Sequence, residues 1–210
     1  MKKIILTAAA VFALSFANAQ DKKEGGAGLA SGNIVLTADA NYTNMSQGDV
    51  KGSVIGLAPG IGYMMSDKLM LVGSIGISSG TASSGVAGAD DAKISGLGLN
   101  AGVKYFFTPA DKFSLSLGGQ LGYGSISSNV GVDAAGDPVV LADAVKTSTI
   151  SLNVPLGLHY FMNDNFAISA TWGGLNYSSA KEDTDGAEAK NTLGLNLNMS
   201  TINFGLVYKL

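Results

Sequence analysis

The sequence predicts an all-β fold, an eight-stranded antiparallel up-and-down barrel, and three features of the chain support this. After residue 33 the chain alternates large apolar residues with Gly or small polar residues, which is the period of a half-buried strand. A Tyr followed by large apolar residues and a short polar turn occurs three times, at residues 63–69, 105–113 and 160–166. Each occurrence closes a predicted hairpin, and longer, more acidic connections separate the hairpins.

The alternation defines eight strands. They are predicted at residues 33–44, 50–65, 69–79, 93–107, 113–124, 147–162, 166–177 and 191–210. The long loops are predicted at residues 45–49, 80–92, 128–146 and 178–190. Within the longest loop, the apolar run Val139-Val140-Leu141 could extend its hairpin beyond the barrel.

Two strands carry residues that disturb a regular ladder. Pro59 has no backbone donor, so a bulge or a local break is expected there. The alternation changes phase at Gly173-Gly174, which indicates a bulge. The last predicted strand also changes phase between Met199 and Ile202.

The location of the charged residues distinguishes a membrane barrel from a soluble one of the lipocalin type. Of the 16 acidic residues, only Asp39 falls well inside a predicted strand. A soluble barrel needs charged residues on its outer face, but here the more polar face of the strands is Gly, Ser, Asn and Thr. The apolar face therefore suits lipid, and the small polar face suits a narrow interior.

The N-terminus has the pattern of an export signal. Lys2 and Lys3 precede an apolar run at residues 4–16, and Ala17-Asn18-Ala19 fits signal-peptidase cleavage before Gln20. We expect residues 1–19 to be a cleaved signal peptide, residues 20–32 a flexible lead-in and residues 33–210 the barrel. Without Lys2 and Lys3 the formal net charge changes from −3 to −5, so a basic footprint for nucleic acid is missing.

Together, the short turns, the acidic long loops and the tyrosines at strand ends resemble those of small outer-membrane β-barrel proteins, the family of OmpX and the OmpA membrane domain. The resemblance implies short periplasmic turns, longer outer loops and a location in the bacterial outer membrane. The C-terminal Tyr208-Lys209-Leu210 resembles the signal read by the barrel-assembly machinery, although such signals commonly end in an aromatic residue. Expected partners are outer-membrane lipid, lipopolysaccharide and that machinery; any surface ligand stays unknown.

Aromatic residues on the apolar face are expected to form girdles at the membrane interfaces. The candidates are Tyr42, Tyr63, Tyr105, Phe107, Phe113, Tyr123, Tyr160, Phe166, Trp172 and Tyr208.

Four ionisable residues fall on the interior face and are the candidates for a lumen site: Asp39, Lys104, His159 and Lys209. Buried charges are costly unless they are paired. We expect Asp39 to pair with one of the two lysines, preferably Lys209, because the first and last strands are neighbours in a closed barrel. His159 is the only histidine and is expected to join an interior hydrogen-bond network.

No residue pattern predicts a catalytic site, a cofactor or a metal. Nearby Ser151, Asn153 and Lys104 do not form a recognisable catalytic arrangement with His159. Residues 182–186 only faintly resemble a calcium loop, without its full spacing. An eight-stranded barrel has an interior just wide enough for side chains. The sequence therefore favours a structural or surface-interaction protein without enzymatic activity, and its Gly-rich interior keeps a narrow conduit for small solutes as the alternative.

Overall fold

The strands close one antiparallel sheet into a barrel, which confirms the predicted fold class. A computed structural model describes residues 28–47, 50–83, 91–109, 111–132, 138–196 and 202–210. In chain order the strands are β1 (Ile34–Gln47), β2 (Val50–Met64), β3 (Leu69–Ser83), β4 (Ala92–Phe106), β5 (Phe113–Val132), β6 (Pro138–Phe161), β7 (Phe166–Glu182), β8 (Lys190–Asn196) and β9 (Asn203–Lys209). Neighbours in sequence pair from β1 to β7, and β9 pairs with both β7 and β1 to complete the ring.

The eighth position of the ring is filled by β8 and β9 in series, where the sequence predicted one strand. Gly174 pairs with Asn196, whereas Thr171 pairs with Asn203. Between these two pairs the last predicted strand contains more residues than β7 does. This agrees with the change of phase in the sequence of that last strand. Residues 197–201, which contain the junction, lie outside the described residues.

The strands extend further at the long-loop end than the alternation predicted. β5 continues to Val132 and β6 begins at Pro138, so much of the predicted loop at residues 128–146 is hairpin. The pair Val130–Val140 confirms the extension expected from the apolar run. A register shift follows Ser128, so this upper part is offset from the barrel wall below it.

The two predicted irregularities are present and differ in kind. Pro59 pairs with Ala38 of β1, but the ladder between β2 and β3 is interrupted there and resumes at Gly60 without a change of register. This is a local break, as expected for a residue that cannot donate. Gly173 and Gly174 have φ values of 55° and 100°, and the β6–β7 register shifts opposite them, so the predicted bulge is confirmed.

The outward face of the sheet is apolar along the strands, with Leu121 64% exposed and Ile150 62% exposed. Such a surface suits hydrocarbon, because the closed ladder pairs the backbone groups of the described strands apart from local breaks. No helix in the described residues is long and apolar enough to span a membrane.

Candidate functional site

The aromatic candidates lie mainly beside the tight turns, at the end of the barrel that faces the periplasm in this architecture. Six of them are within two residues of such a turn: Tyr63, Tyr105, Phe107, Phe113, Tyr160 and Phe166. Tyr208 pairs with Phe166 and therefore lies at the same end. Tyr105 and Phe107 meet edge to face, with ring centroids 5.3 Å apart. Tyr42, Tyr123 and Trp172 lie within strands, farther from these turns. Most of the aromatic candidates are therefore concentrated at the end of the barrel that carries the tight turns.

The periplasmic end of the lumen is filled by an apolar plug. Its members are no more than 4% exposed: Leu29, Val35, Met64, Met70, Phe106, Phe161, Ala167 and Val207. Val72 packs against them. The expectation of a lumen lined by Gly, Ser, Asn and Thr is therefore wrong at this end. The prediction missed the plug because no strand contributes more than one or two apolar residues to it, too few to alter the alternation.

Residues 28–33, which we call the strap, fold across this end of the barrel. The Leu29 N–H donates to the Pro109 carbonyl oxygen (2.6 Å), and the Gly32 N–H donates to that of Met64 (2.9 Å). The Ser31 N–H donates to Asp67 Oδ1 (3.1 Å). The strap overlaps the end of the expected lead-in, and its hydrogen bonds and the burial of Leu29 hold it against the barrel. Residues 20–27 of that lead-in lie outside the described residues.

A polar layer containing His159 lies directly above the plug. His159 Nε2 and Ser116 Oγ form a hydrogen bond of 3.1 Å, and both side chains are 2% exposed. The Phe106 ring packs against the imidazole, with centroids 5.0 Å apart. Ser114 is also buried, and its Oγ has no hydrogen-bond partner in the part of the chain that the structure describes. Sequence reasoning missed Ser116; the β5–β6 register, which pairs Ser114 with His159, was the signal needed to find it.

The interior charges are arranged differently from the expected pairing of Asp39 with Lys209. Asp39 and Lys104 are both half-buried and attract each other. Lys209 faces Val35 in the ladder and lies at the periplasmic end. Its Nζ donates to the Gly28 carbonyl oxygen (3.0 Å), which anchors the strap. The two lysines therefore have different roles: Lys104 belongs to the lumen and Lys209 to its closure.

A cavity of about 600 Å³ occupies the lumen above the polar layer. Its polar lining includes Thr37, Asp39, Asn41, Ser74, Asn100, Lys104, Ser116, Gln120, Asn153, Ser169, Thr171 and Asn176. Asn176 Nδ2 donates to Asn153 Oδ1 (2.5 Å), and Asn153 Nδ2 donates to Ser151 Oγ (3.2 Å). The middle of the lumen thus has the small polar lining that the sequence predicted.

Interior glycines make room for the polar side chains. A Cβ built on Gly205 would collide with the Asp39 carboxylate, and one on Gly122 would lie 2.6 Å from Asn100 Oδ1. Each of these side chains therefore lies over a glycine of the adjacent strand instead of crossing the barrel. The cavity stays open because the polar groups lie along its wall.

The described residues contain no group of three or more His, Asp or Glu side chains placed to hold a metal ion. Of the acidic residues in the predicted loops, six are described and all six are exposed to solvent: Asp91, Asp143, Glu182, Asp183, Asp185 and Glu188. The arrangement of the lumen is that of a polar chamber with an apolar floor.

Several solved structures are similar to this chain. The chain is similar to the outer membrane protein OprG from Pseudomonas aeruginosa, with 15% sequence identity and a TM-score of 0.51, over 87% of this chain and 98% of that one. The chain is also similar to the neisserial surface protein A, with 18% sequence identity and a TM-score of 0.44, over 89% of this chain and 100% of that one. It is similar to a major outer membrane protein of Thermus thermophilus as well, with 12% sequence identity and a TM-score of 0.45, over 86% of this chain and 100% of that one.

Sequence comparison identifies the family directly. No curated protein matches the chain significantly. The family model described as the outer membrane protein beta-barrel domain matches residues 4–209, nearly the whole chain. The closed eight-position barrel and its apolar outer surface are the structure that this domain requires in a membrane. The chain therefore belongs to the outer membrane protein beta-barrel family.

Proposed function

We propose that this protein is a sealed outer-membrane barrel that acts at the cell surface through its outer loops. The observation that carries the proposal is the apolar plug, which fills the periplasmic end of the lumen. Phe106 and Met64 are fully buried there, and Phe161 is 1% exposed. A continuous conduit for polar solutes needs a hydrated path, which close-packed apolar side chains remove. The plug therefore supports the surface role over the narrow conduit.

The outer loops supply an exposed acidic surface. Glu182 at the end of β7 and Asp183, Asp185 and Glu188 in the connection to β8 are all exposed. The Asp183 N–H donates to the Lys146 carbonyl oxygen (2.7 Å), so the start of this loop is held against β6. Exposed residues on loops held by a rigid scaffold are suited to binding partners.

An enzymatic role has little support in this geometry. The Ser116–His159 pair is the only arrangement in the described residues that resembles part of a hydrolytic site. Both side chains are 2% exposed, beneath the cavity, which leaves little room for an acyl group beside the hydroxyl. We propose that the pair is structural and that the protein is not an enzyme.

The proposed partners follow from location. Outer-membrane lipid and lipopolysaccharide would surround the outward apolar face, and the barrel-assembly machinery would engage the C-terminal strand β9. Export would use the signal peptide at residues 1–19, which lies outside the described residues. Amino-terminal sequencing of the protein extracted from outer membranes tests the cleavage: Gln20 is the expected first residue.

Conductance in a planar bilayer tests the sealed barrel. The chain from Gln20 is refolded, heat-modifiable migration on a gel confirms folding, and we expect no discrete conductance steps. A variant with Phe106→Ala and Phe161→Ala is expected to conduct, because loss of both rings connects the cavity of about 600 Å³ to the periplasmic end.

Phe107→Ala is the matched control, because Phe107 is 52% exposed on the outward face. This control also removes a phenyl ring but leaves the plug intact, so it should show no conductance steps. Discrete, reproducible conductance of the unmodified chain would overturn the sealed barrel and favour the narrow conduit.

A further inference from the structure

The cavity is a chamber with a closed floor. The plug and the Ser116–His159 layer block it at the periplasmic end. From there it extends past Lys104 and Ser169 to residues near the outer ends of the strands, such as Ser78 and Ile126. Its volume of about 600 Å³ lies within the range of small-molecule sites in proteins. Any solute that fills it enters from the outer side.

The described lining contains one negative and one positive side chain, on different parts of the wall. Asp39 is on β1 and Lys104 is on β4, with β2 and β3 between them in the sheet. They attract each other, but no hydrogen bond between the two groups is present among the described residues. Both are partly withdrawn from water, so a partner that brings the opposite charge to each of them is favoured.

Neutral polar groups of the same lining add hydrogen-bonding capacity. Asn100 Nδ2 donates to Ser74 Oγ at 3.5 Å, at the limit of a hydrogen bond, and the Gln120 amide lines the same wall. Amides both donate and accept, so they accommodate either end of a polar solute. The apolar floor offers neither charge nor hydrogen bonds, which confines polar recognition to the walls.

We propose that the lumen binds a small zwitterion, with its carboxylate directed to Lys104 and its ammonium group directed to Asp39. A molecule with one charge satisfies only one wall and leaves the other charge unmatched, whereas a zwitterion satisfies both. The separation of the two charges in the ligand must match that of the two side chains. This inference goes beyond the proposed surface role. The two proposals have only one observation in common, the apolar plug that closes the periplasmic end.

A series of ω-amino acids tests the proposal and measures the separation. The refolded chain in detergent micelles is titrated with glycine, β-alanine and γ-aminobutyrate, followed by amide chemical shifts. Acetate, methylammonium and glycerol serve as probes with one charge or none. We expect saturable binding that is tightest for one member of the series, with shifts concentrated at lining residues such as Gly98, Gly157 and Ser169.

Two substitutions remove the charges while nearly keeping side-chain size. Asp39→Asn and Lys104→Met are each expected to weaken binding of the tightest zwitterion about tenfold or more, because each leaves one end of the ligand without its charge. Asp111→Asn is the matched control, since Asp111 is exposed in the β4–β5 turn, and it should bind as the unmodified chain does. Heat-modifiable migration confirms that each variant is folded.

Three results would overturn the proposal: no saturable binding of any of the three zwitterions, equal binding of acetate or methylammonium, or unchanged affinity in both lumen variants. Binding is measured here without conductance. A negative result therefore rejects the zwitterion site and leaves the sealed barrel standing, while the bilayer experiment tests that barrel separately.

Discussion

At the scale of single residues, glycine determines the shape of the lumen. Asn41 lies over Gly56 and Asp39 lies over Gly205, in positions that a Cβ on either glycine would occupy. Larger residues at these positions would push the polar side chains into the barrel and fill the cavity. The many glycines are therefore needed for the open chamber as well as for close approach of the strands.

Gly102 and Gly119 provide a matched test of this requirement, because they lie on neighbouring strands. A Cβ on Gly102 would collide with the Gly119 carbonyl oxygen, which is backbone and cannot turn away, whereas a Cβ on Gly119 meets nothing within 4 Å. We expect Gly102→Ala to lower the free energy of unfolding by about 1–3 kcal/mol, as overpacking does. Gly119→Ala should change it by less than about 0.5 kcal/mol. Urea unfolding in lipid vesicles measures both, and equal effects would contradict the steric argument.

At the scale of strands, β6 is the least regular part of the wall. Around Pro155 its ladder to β5 has no pairs at Gly118 and Gly119, and its register to β7 shifts. Pro155 has no donor, and the glycine pair on β7 accommodates the resulting bulge with positive φ values. The sequence indicated this bulge from the glycine pair, but its position opposite Pro155 required the pairing of the strands.

The substitution Gly174→Ala tests how much the bulge contributes to stability. Alanine there would have a strained φ of 100° and would collide with the Val154 carbonyl group. Gly186, in the β7–β8 loop, has a φ of 79° but open space around it, so Gly186→Ala isolates the cost of the backbone conformation. We expect Gly186→Ala to cost roughly 1–2 kcal/mol and Gly174→Ala to cost more. Vesicle unfolding curves compare them, and a smaller effect at Gly174 would show that the bulge adjusts freely.

At the scale of the whole molecule, the barrel is asymmetric from end to end. The periplasmic end is closed by the apolar plug and the strap, and most aromatic candidates lie at the same end. Toward the other end the lumen becomes polar, and the β7–β8 loop is acidic and exposed. The proposed surface role would therefore use the polar outer side, while the buried apolar contacts are concentrated on the periplasmic side.

Cysteine labelling tests that orientation, because the chain contains no native cysteine. Asp185→Cys lies in the β7–β8 loop and Asp111→Cys in the β4–β5 turn, and both positions are exposed. In intact cells, a polyethylene-glycol maleimide too large for porins should label position 185 alone. Position 111 should react only after the outer membrane is permeabilised. The opposite pattern would invert the barrel and reject the outer-loop proposal.

The sequence predicts features that depend on local interactions and misses those that depend on contacts between distant segments. Alternation of apolar and small residues is local, so the strands, the tight turns and the outward face were predictable one segment at a time. The Ser116–His159 bond depends on the register of β5 against β6, and the attraction between Asp39 and Lys104 acts between strands that are not adjacent. Neither relation is encoded in the spacing of residues within a segment.

The sequence by itself therefore determined the barrel, the eight positions of its ring and its place in a membrane, because each rests on a period of two and on the alternation of short turns with long loops. Only the tertiary structure decided that the lumen has a floor. The plug collects one or two residues from most of the strands, and Leu29 joins it because the strap returns across the barrel end. Such a cluster forms when the sheet closes and brings the strand ends together, which no single segment specifies.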